Sequence, residues 1–324
     1  MPSKTVLVYK SLDDALLERL RARYEVRDFS DRADITQDPD FLAALPDAHG
    51  LIGASVPLGG DLLRRASNLE VVSSVSVGVD NYDLASTAER GIVLCHTPDV
   101  LTETVADTAL LLILATARRG VELSNLVRRG EWTGGIGPAH YGSDVHHKRL
   151  GIVGMGRIGQ AIARRGAAGF GMTVRYHNRS GHSDIDAELG AEWQPLDTLL
   201  SESDIVCSTL PLSDRTAGMF GRQAFERMGA ESFFVNIGRG GVVDEAALVD
   251  ALRTNTIKAA GLDVFETEPL PAESPLLALD NVVVLPHIGS ATHETRAAMA
   301  ELAVSNLEAV LEDRQPPAAY PLAP

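Results

Sequence analysis

Only two of the 324 residues are cysteine, Cys95 and Cys207. Each sits in an apolar, strand-like run, where a thiol serves as a small buried hydrophobe rather than as a bridge or nucleophile. A disulfide scaffold is excluded, and a reducing, cytoplasmic compartment is the expected setting. Positive charge is also scarce: 29 lysines and arginines against 44 acids leave a net charge of −15. Such a surface repels nucleic acid and anionic lipid, so neither is an expected partner, and an anionic ligand must be met by locally concentrated arginines. Long apolar runs are missing too. The greasiest, residues 109–115, is too short to span a bilayer, and the apolar stretch after Lys4 is far shorter than a secretory signal. No metal site is expected, because the adjacent His146 and His147 lack the spacing that presents two ligands to one ion.

Hydrophobic residues, at 45% against 23% charged, supply ample material for packed cores, and the length suggests two domains. Short Val/Ile/Leu runs alternate with helical stretches, the pattern of an α/β protein with parallel sheets covered by helices on both faces. The spacing predicts strands over residues 5–9, 50–54, 71–75 and 92–96. A second series follows over 150–154, 173–177, 204–210, 232–237, 259–265 and 282–285. Helices are expected over 13–20, over 102–119 as an inter-domain element, and from Thr292 onward with Ala300, Val304, Leu307 and Leu311 as its buried stripe. Residues 130–148, with five glycines, read as the longest loop.

The turn opening the second series is Gly154-Met155-Gly156-Arg157-Ile158-Gly159. Its first glycine permits a tight turn, its second lets backbone approach a pyrophosphate, and its third lets helix and strand pack closely. The helix start then offers free N–H groups and partial positive charge to the phosphates. The next strand ends at His177-Asn178-Arg179-Ser180, where an NAD enzyme needs an acid for the ribose hydroxyls. Arg179 can instead pair with a 2′-phosphate and Ser180 can donate a hydroxyl, which argues for NADP(H), with NAD(H) accepted more weakly. In the alternative, Asp184 or Asp186 swings in to serve NAD(H).

Three further residues lie at strand ends: Arg239 in Asn-Ile-Gly-Arg-Gly, Glu268 before Pro269, and His287 after Pro286. An arginine can hold and polarise an anionic carbonyl compound, a histidine can exchange a proton, and a carboxylate can set that histidine's charge and tautomer. With a dinucleotide loop upstream, the set reads as hydride transfer.

From Ser74-Val75-Ser76-Val77-Gly78-Val79-Asp80-Asn81 through the glycine loop to Pro286-His287-Ile288-Gly289-Ser290, the chain resembles the D-isomer-specific 2-hydroxyacid dehydrogenases. Within them, Gly130-Glu131-Trp132, Asp144-Val145-His146-His147-Lys148 and the run Gly289 to Arg296 look most like the glyoxylate/hydroxypyruvate reductase branch, which also reduces 2-ketogluconate and prefers NADPH. The resemblance implies two doubly wound, Rossmann-like domains with a cleft between them. Residues 1–98 and 289–324 would form a discontinuous substrate-binding domain, and 99–288 the dinucleotide-binding domain. It places catalysis on Arg239, Glu268 and His287 and the substrate carboxylate on the backbone of Val77 and Gly78. Arg157 and Ile158 would lie on the pyrophosphate, Pro211 and Thr216 near the adenosine half, Thr108 and Ile237 near the nicotinamide, and Asp263 on its carboxamide, with Gly289 beside the cofactor. It also implies a homodimer, with the 130–148 loop reaching a second subunit through Trp132 and Tyr141. Other readings of the same fold are a dehydrogenase for a different 2-hydroxy acid, or a non-enzymatic regulator like the C-terminal-binding co-repressors, in which cofactor occupancy controls partner binding.

Overall fold

The computed structural model describes residues 4–181 and 183–322. Two compact units emerge, Met1–Leu101 with Thr292–Pro324, and Thr102–Ala291. The first contains strands β1 (Thr5–Val8), β2 (Glu25–Asp28), β3 (Ala48–Gly53), β4 (Val71–Ser74) and β5 (Val93–Cys95) in the order β2-β1-β3-β4-β5. Every pairing is parallel. β1 and β4 are buried along their whole length, as unbroken apolar or small-residue runs demand of central strands. The sequence predicts no strand at β2, because Glu-Val-Arg-Asp carries charge at three of its four positions. It is an edge strand, where charged side chains face water and block pairing with other chains.

The expected carboxyl-terminal helix is present as His293–Leu311, opened by the Thr292 hydroxyl, which accepts from the Thr295 N–H. Ala300, Val304, Leu307 and Leu311 are buried, as their spacing predicts. The helix packs on β3 and β4: a Cβ at Gly50 would lie 2.7 Å from Leu307 Cδ1, and Ser73 Oγ donates to the Ala303 carbonyl at 2.7 Å.

The second unit holds β6 (Arg149–Val153), β7 (Thr173–His177), β8 (Glu192–Trp193), β9 (Ile205–Ser208), β10 (Phe233–Asn236), β11 (Ala259–Leu262) and β12 (Val282–Val284), in the order β12-β11-β10-β9-β6-β7-β8. This sheet is also parallel throughout. The order reverses at β6 and β9, the switch point outside whose carboxyl ends ligands of open α/β sheets bind. The helix expected over 102–119 is Thr102–Ala117 and lies wholly within this unit. It approaches β11 closely because Gly261 has no side chain: a Cβ there would sit 2.7 Å from Thr116 Oγ1. Arg119, at φ +53°, ends it and donates to the carbonyls of Ala139 and Tyr141, while a second helix, Gly120–Arg128, follows. The 130–148 stretch is irregular apart from one 3₁₀ turn, Pro138–His140, and exposes Trp132 and Tyr141. Among the described residues no helix is long and apolar enough to cross a membrane, and no cluster of three or more His, Cys, Asp or Glu side chains could hold a metal ion.

Candidate active site

β6 delivers the chain into the glycine loop. Gly154 takes φ +106°, a conformation side chains disfavour, and a Cβ there would meet Thr209 Oγ1 at 2.7 Å. Gly159 would place a Cβ 2.2 Å from the Gly154 carbonyl oxygen, so only glycine lets the helix Arg157–Phe170 start this close to the strand. Gly156 differs from both: a Cβ would find nothing within 4 Å. Its bare backbone borders open space at the helix start, as a pyrophosphate cradle requires. Thr209, which the sequence motifs do not single out, donates from Oγ1 to the Gly154 carbonyl at 2.5 Å and holds the turn. Asn178 Oδ1 accepts from the Met155 N–H at 2.9 Å, so this residue shapes the loop. Arg157 and Ile158 open the helix, and Arg179 and Ser180 stand exposed just past β7. Thr216 Oγ1 donates to the Pro211 carbonyl at 2.6 Å and accepts from the Ser213 N–H, closing a small exposed loop after β9.

Arg239 leaves β10 in a turn clamped on both sides. A Cβ at Gly238 would lie 2.4 Å from the Leu210 carbonyl oxygen, and one at Gly240 would lie 1.8 Å from the Phe265 carbonyl. The fully buried Asn236 ties the turn, donating through Nδ2 to the Arg239 carbonyl at 2.9 Å and accepting from the Gly238 N–H. Sequence reasoning misses Asn236; a buried amide at a strand end, next to a glycine-flanked arginine, is the signal that could have found it. Gly240→Ala should therefore lower stability by roughly 1–3 kcal/mol, the range for overpacking a tightly packed site, seen as a drop in Tm. An unchanged Tm would show that the turn relaxes freely.

Glu268 and His287 meet directly, with Glu268 Oε2 2.6 Å from His287 Nδ1. The other Glu268 oxygen accepts from the Phe265 N–H at 3.0 Å. Burial pushes this carboxyl up, but the hydrogen bonds from His287 and the Phe265 N–H and the nearby charges of His287 and Arg239 outweigh it. The group is held below the usual carboxylate range. With Nδ1 engaged, Nε2 is the nitrogen left to exchange a proton. His287 adopts φ +52°, a left-handed conformation that costs a non-glycine residue of order 1–3 kcal/mol and persists where the surroundings over-determine it.

Asp263 supplies that constraint. Almost fully buried at the end of β11, it accepts from the Ile288 and Gly289 N–H groups at 2.8 Å each. Burial raises its pKa and those two donors oppose the rise. Both oxygens thus already serve the segment after His287, a role the sequence does not announce. Thr108 Oγ1 lies 3.5 Å from the Gly289 carbonyl, and Ile237 Cδ1 is 3.7 Å from where a Gly289 Cβ would be, so Thr108, Ile237, Asp263 and Gly289 converge. Phe265, Glu268, Leu270, Val284 and His287 line a cavity of about 530 Å³. In the first unit, Val77 and Gly78 follow β4: the Gly78 N–H donates to Ser76 Oγ at 3.2 Å, and the Val77 carbonyl lies 3.1 Å from His96 Nδ1.

The dinucleotide loop and the Arg239, Glu268 and His287 set fall within residues 110–289, which match the model of the D-isomer specific 2-hydroxyacid dehydrogenase NAD-binding domain. Glyoxylate/hydroxypyruvate reductase B of Escherichia fergusonii is 51% identical over 308 residues, 95% of each chain. The crystal structure of an NADPH-dependent glyoxylate/hydroxypyruvate reductase from Sinorhizobium meliloti, in complex with NADP and malonate, superposes with a TM-score of 0.87 at 35% identity, covering 98% of this chain and 97% of that one. A glyoxylate reductase from Paecilomyes thermophila gives a TM-score of 0.90 at 30% identity over 99% of both chains. The chain belongs to the D-isomer specific 2-hydroxyacid dehydrogenase family.

Proposed function

We propose that the protein is an NADPH-dependent reductase of 2-oxo acids, taking glyoxylate, hydroxypyruvate and 2-ketogluconate to the D-2-hydroxy acids. The observation that carries this reading is the bonded Glu268–His287 pair, which shares one unit with the clamped Arg239 turn and the glycine loop. The names of the relatives from E. fergusonii and S. meliloti support the substrate class, and the NADP complex supports the cofactor.

The loop fits the cofactor: Gly156 leaves room for a pyrophosphate, the helix Arg157–Phe170 begins there, and Arg179 rather than a carboxylate follows β7. Bound there, the reduced nicotinamide supplies a hydride to the 2-carbon of the substrate. Arg239 holds the substrate's carboxylate and carbonyl oxygen and concentrates positive charge where alkoxide develops. His287 gives the proton that completes the alcohol, and Glu268 keeps the imidazolium paired until it does. Residues 1–98 and 289–324 serve as the substrate-binding domain, with the backbone of Val77 and Gly78 on the carboxylate, and 99–288 as the dinucleotide-binding domain. Exposed Trp132, Ile136 and Tyr141 suit the 130–148 loop to a homodimer interface, and the reading carries a cytoplasmic setting with it.

The test is a panel of 2-oxo acids assayed with both reduced cofactors, comparing kcat/KM. Arg179→Ala should raise the KM for NADPH about tenfold or more, the worth of one charge-assisted phosphate contact, and leave that for NADH nearly unchanged. Equal effects on both cofactors would remove Arg179 from the 2′-phosphate.

A further inference from the structure

Most arginines of this acidic chain lie against carboxylates, as Arg19 does on Glu301 and Glu308, Arg149 on Asp204, and Arg165 on Glu103 and Asp107. Lys10 and Arg296 do not. Both are half-buried, and among the described residues neither makes a side-chain hydrogen bond or ion pair. They are neighbours of like charge. Burial lowers the Lys10 pKa and the Arg296 guanidinium lowers it further, with no acid acting in opposition. Two half-buried cations side by side repel each other, and a bound anion would relieve that repulsion.

Topology places the pair. Lys4 Nζ donates to the Leu311 carbonyl at 2.7 Å, so the end of helix His293–Leu311 sits beside the start of β1 and the helix runs back along the strands. Arg296 lies fifteen residues earlier in that helix, about 22 Å away. Lys10 lies six residues of extended chain beyond Lys4, about 20 Å in the same direction. Both therefore reach the carboxyl edge of the five-stranded sheet, the edge that also carries Val77 and Gly78 after β4. β1 and β4 are separated by β3 alone, so their ends are two strand spacings apart, about 10 Å. The helix that bears Arg296 packs over β3, the strand that separates β1 from β4, and over β4 itself.

We propose that Lys10 and Arg296 form an anion subsite that takes the second carboxylate of a 2-oxo dicarboxylic acid whose first carboxylate rests on Val77 and Gly78. This rests on the reductase reading for its substrate class, and its test does not depend on turnover. The full-length protein with NADP⁺ is titrated calorimetrically with 2-oxoglutarate and with 2-oxopentanoate, which differ only in the terminal carboxylate. The diacid should bind about tenfold or more tightly, the worth of a charge-assisted contact, and Lys10→Met with Arg296→Met should erase the preference. Lys10→Arg with Arg296→Lys should keep it, which separates loss of charge from loss of fold. Equal affinities in the unaltered protein, or a preference that survives the double methionine variant, would overturn the subsite. Failure of every 2-oxo acid to oxidise NADPH would count against the reductase reading instead.

Discussion

Replacing His287 with alanine should reduce kcat/KM for glyoxylate by about three orders of magnitude, within the span that a positioned general acid supplies, while Tm and far-UV circular dichroism stay close to those of the unaltered protein. The expectation follows from geometry. Nδ1 is bound to Glu268 at 2.6 Å, the ring stands on a left-handed residue, and the following segment is pinned by Asp263, so the imidazole is held for chemistry at considerable local cost. Removing it opens no hole in a core, because nearly half of the side chain is exposed (47%). The same pair sets the direction of the pH response. Folding depresses the Glu268 carboxyl, so its pairing contributes stability above the ordinary glutamate pKa, and that contribution is lost as pH falls through the lowered folded value. A near-normal rate for His287→Ala would transfer the proton to another group.

Arg239→Ala should lower kcat by about 10²- to 10³-fold, the effect of deleting one donor aimed at developing oxyanion charge, and raise KM as well, because the same guanidinium grips the carboxylate. Arg239→Lys should recover little, since an ammonium cannot present the planar fork. The clamp around the turn, with Leu210 on one side, Phe265 on the other and Asn236 beneath, makes position as important as charge. Asn236→Ala should therefore mimic part of the loss while leaving the arginine in place, and kinetics on that variant would distinguish positioning from bulk electrostatics.

The central strands and the glycine turn were legible because each states its physics in residue types: unbroken apolar runs for strands buried on both faces, and glycine where backbone must approach backbone. The edge strands were not. Glu25–Asp28 is charged and Glu192–Trp193 spans two residues, so neither shows the run that marks a buried strand. Arg239, Glu268 and His287 stood out by residue type at strand ends. Their supports stayed hidden because Asn236, Thr209 and Asp263 act through backbone partners far along the chain, and no local periodicity encodes such partners. Lys10 and Arg296 could not be paired from sequence at all, since their proximity depends on a helix that returns from the far end of the chain to the first sheet.

The most direct test follows nicotinamide absorbance as NADPH is mixed with hydroxypyruvate, with the enantiomer of the product identified afterwards. Absorbance should fall in step with formation of D-glycerate, and should barely change for His287→Ala at equal enzyme concentration. Unchanged absorbance with the unaltered protein, or L-glycerate as the product, would contradict hydride transfer at the site formed by Arg239, Glu268 and His287.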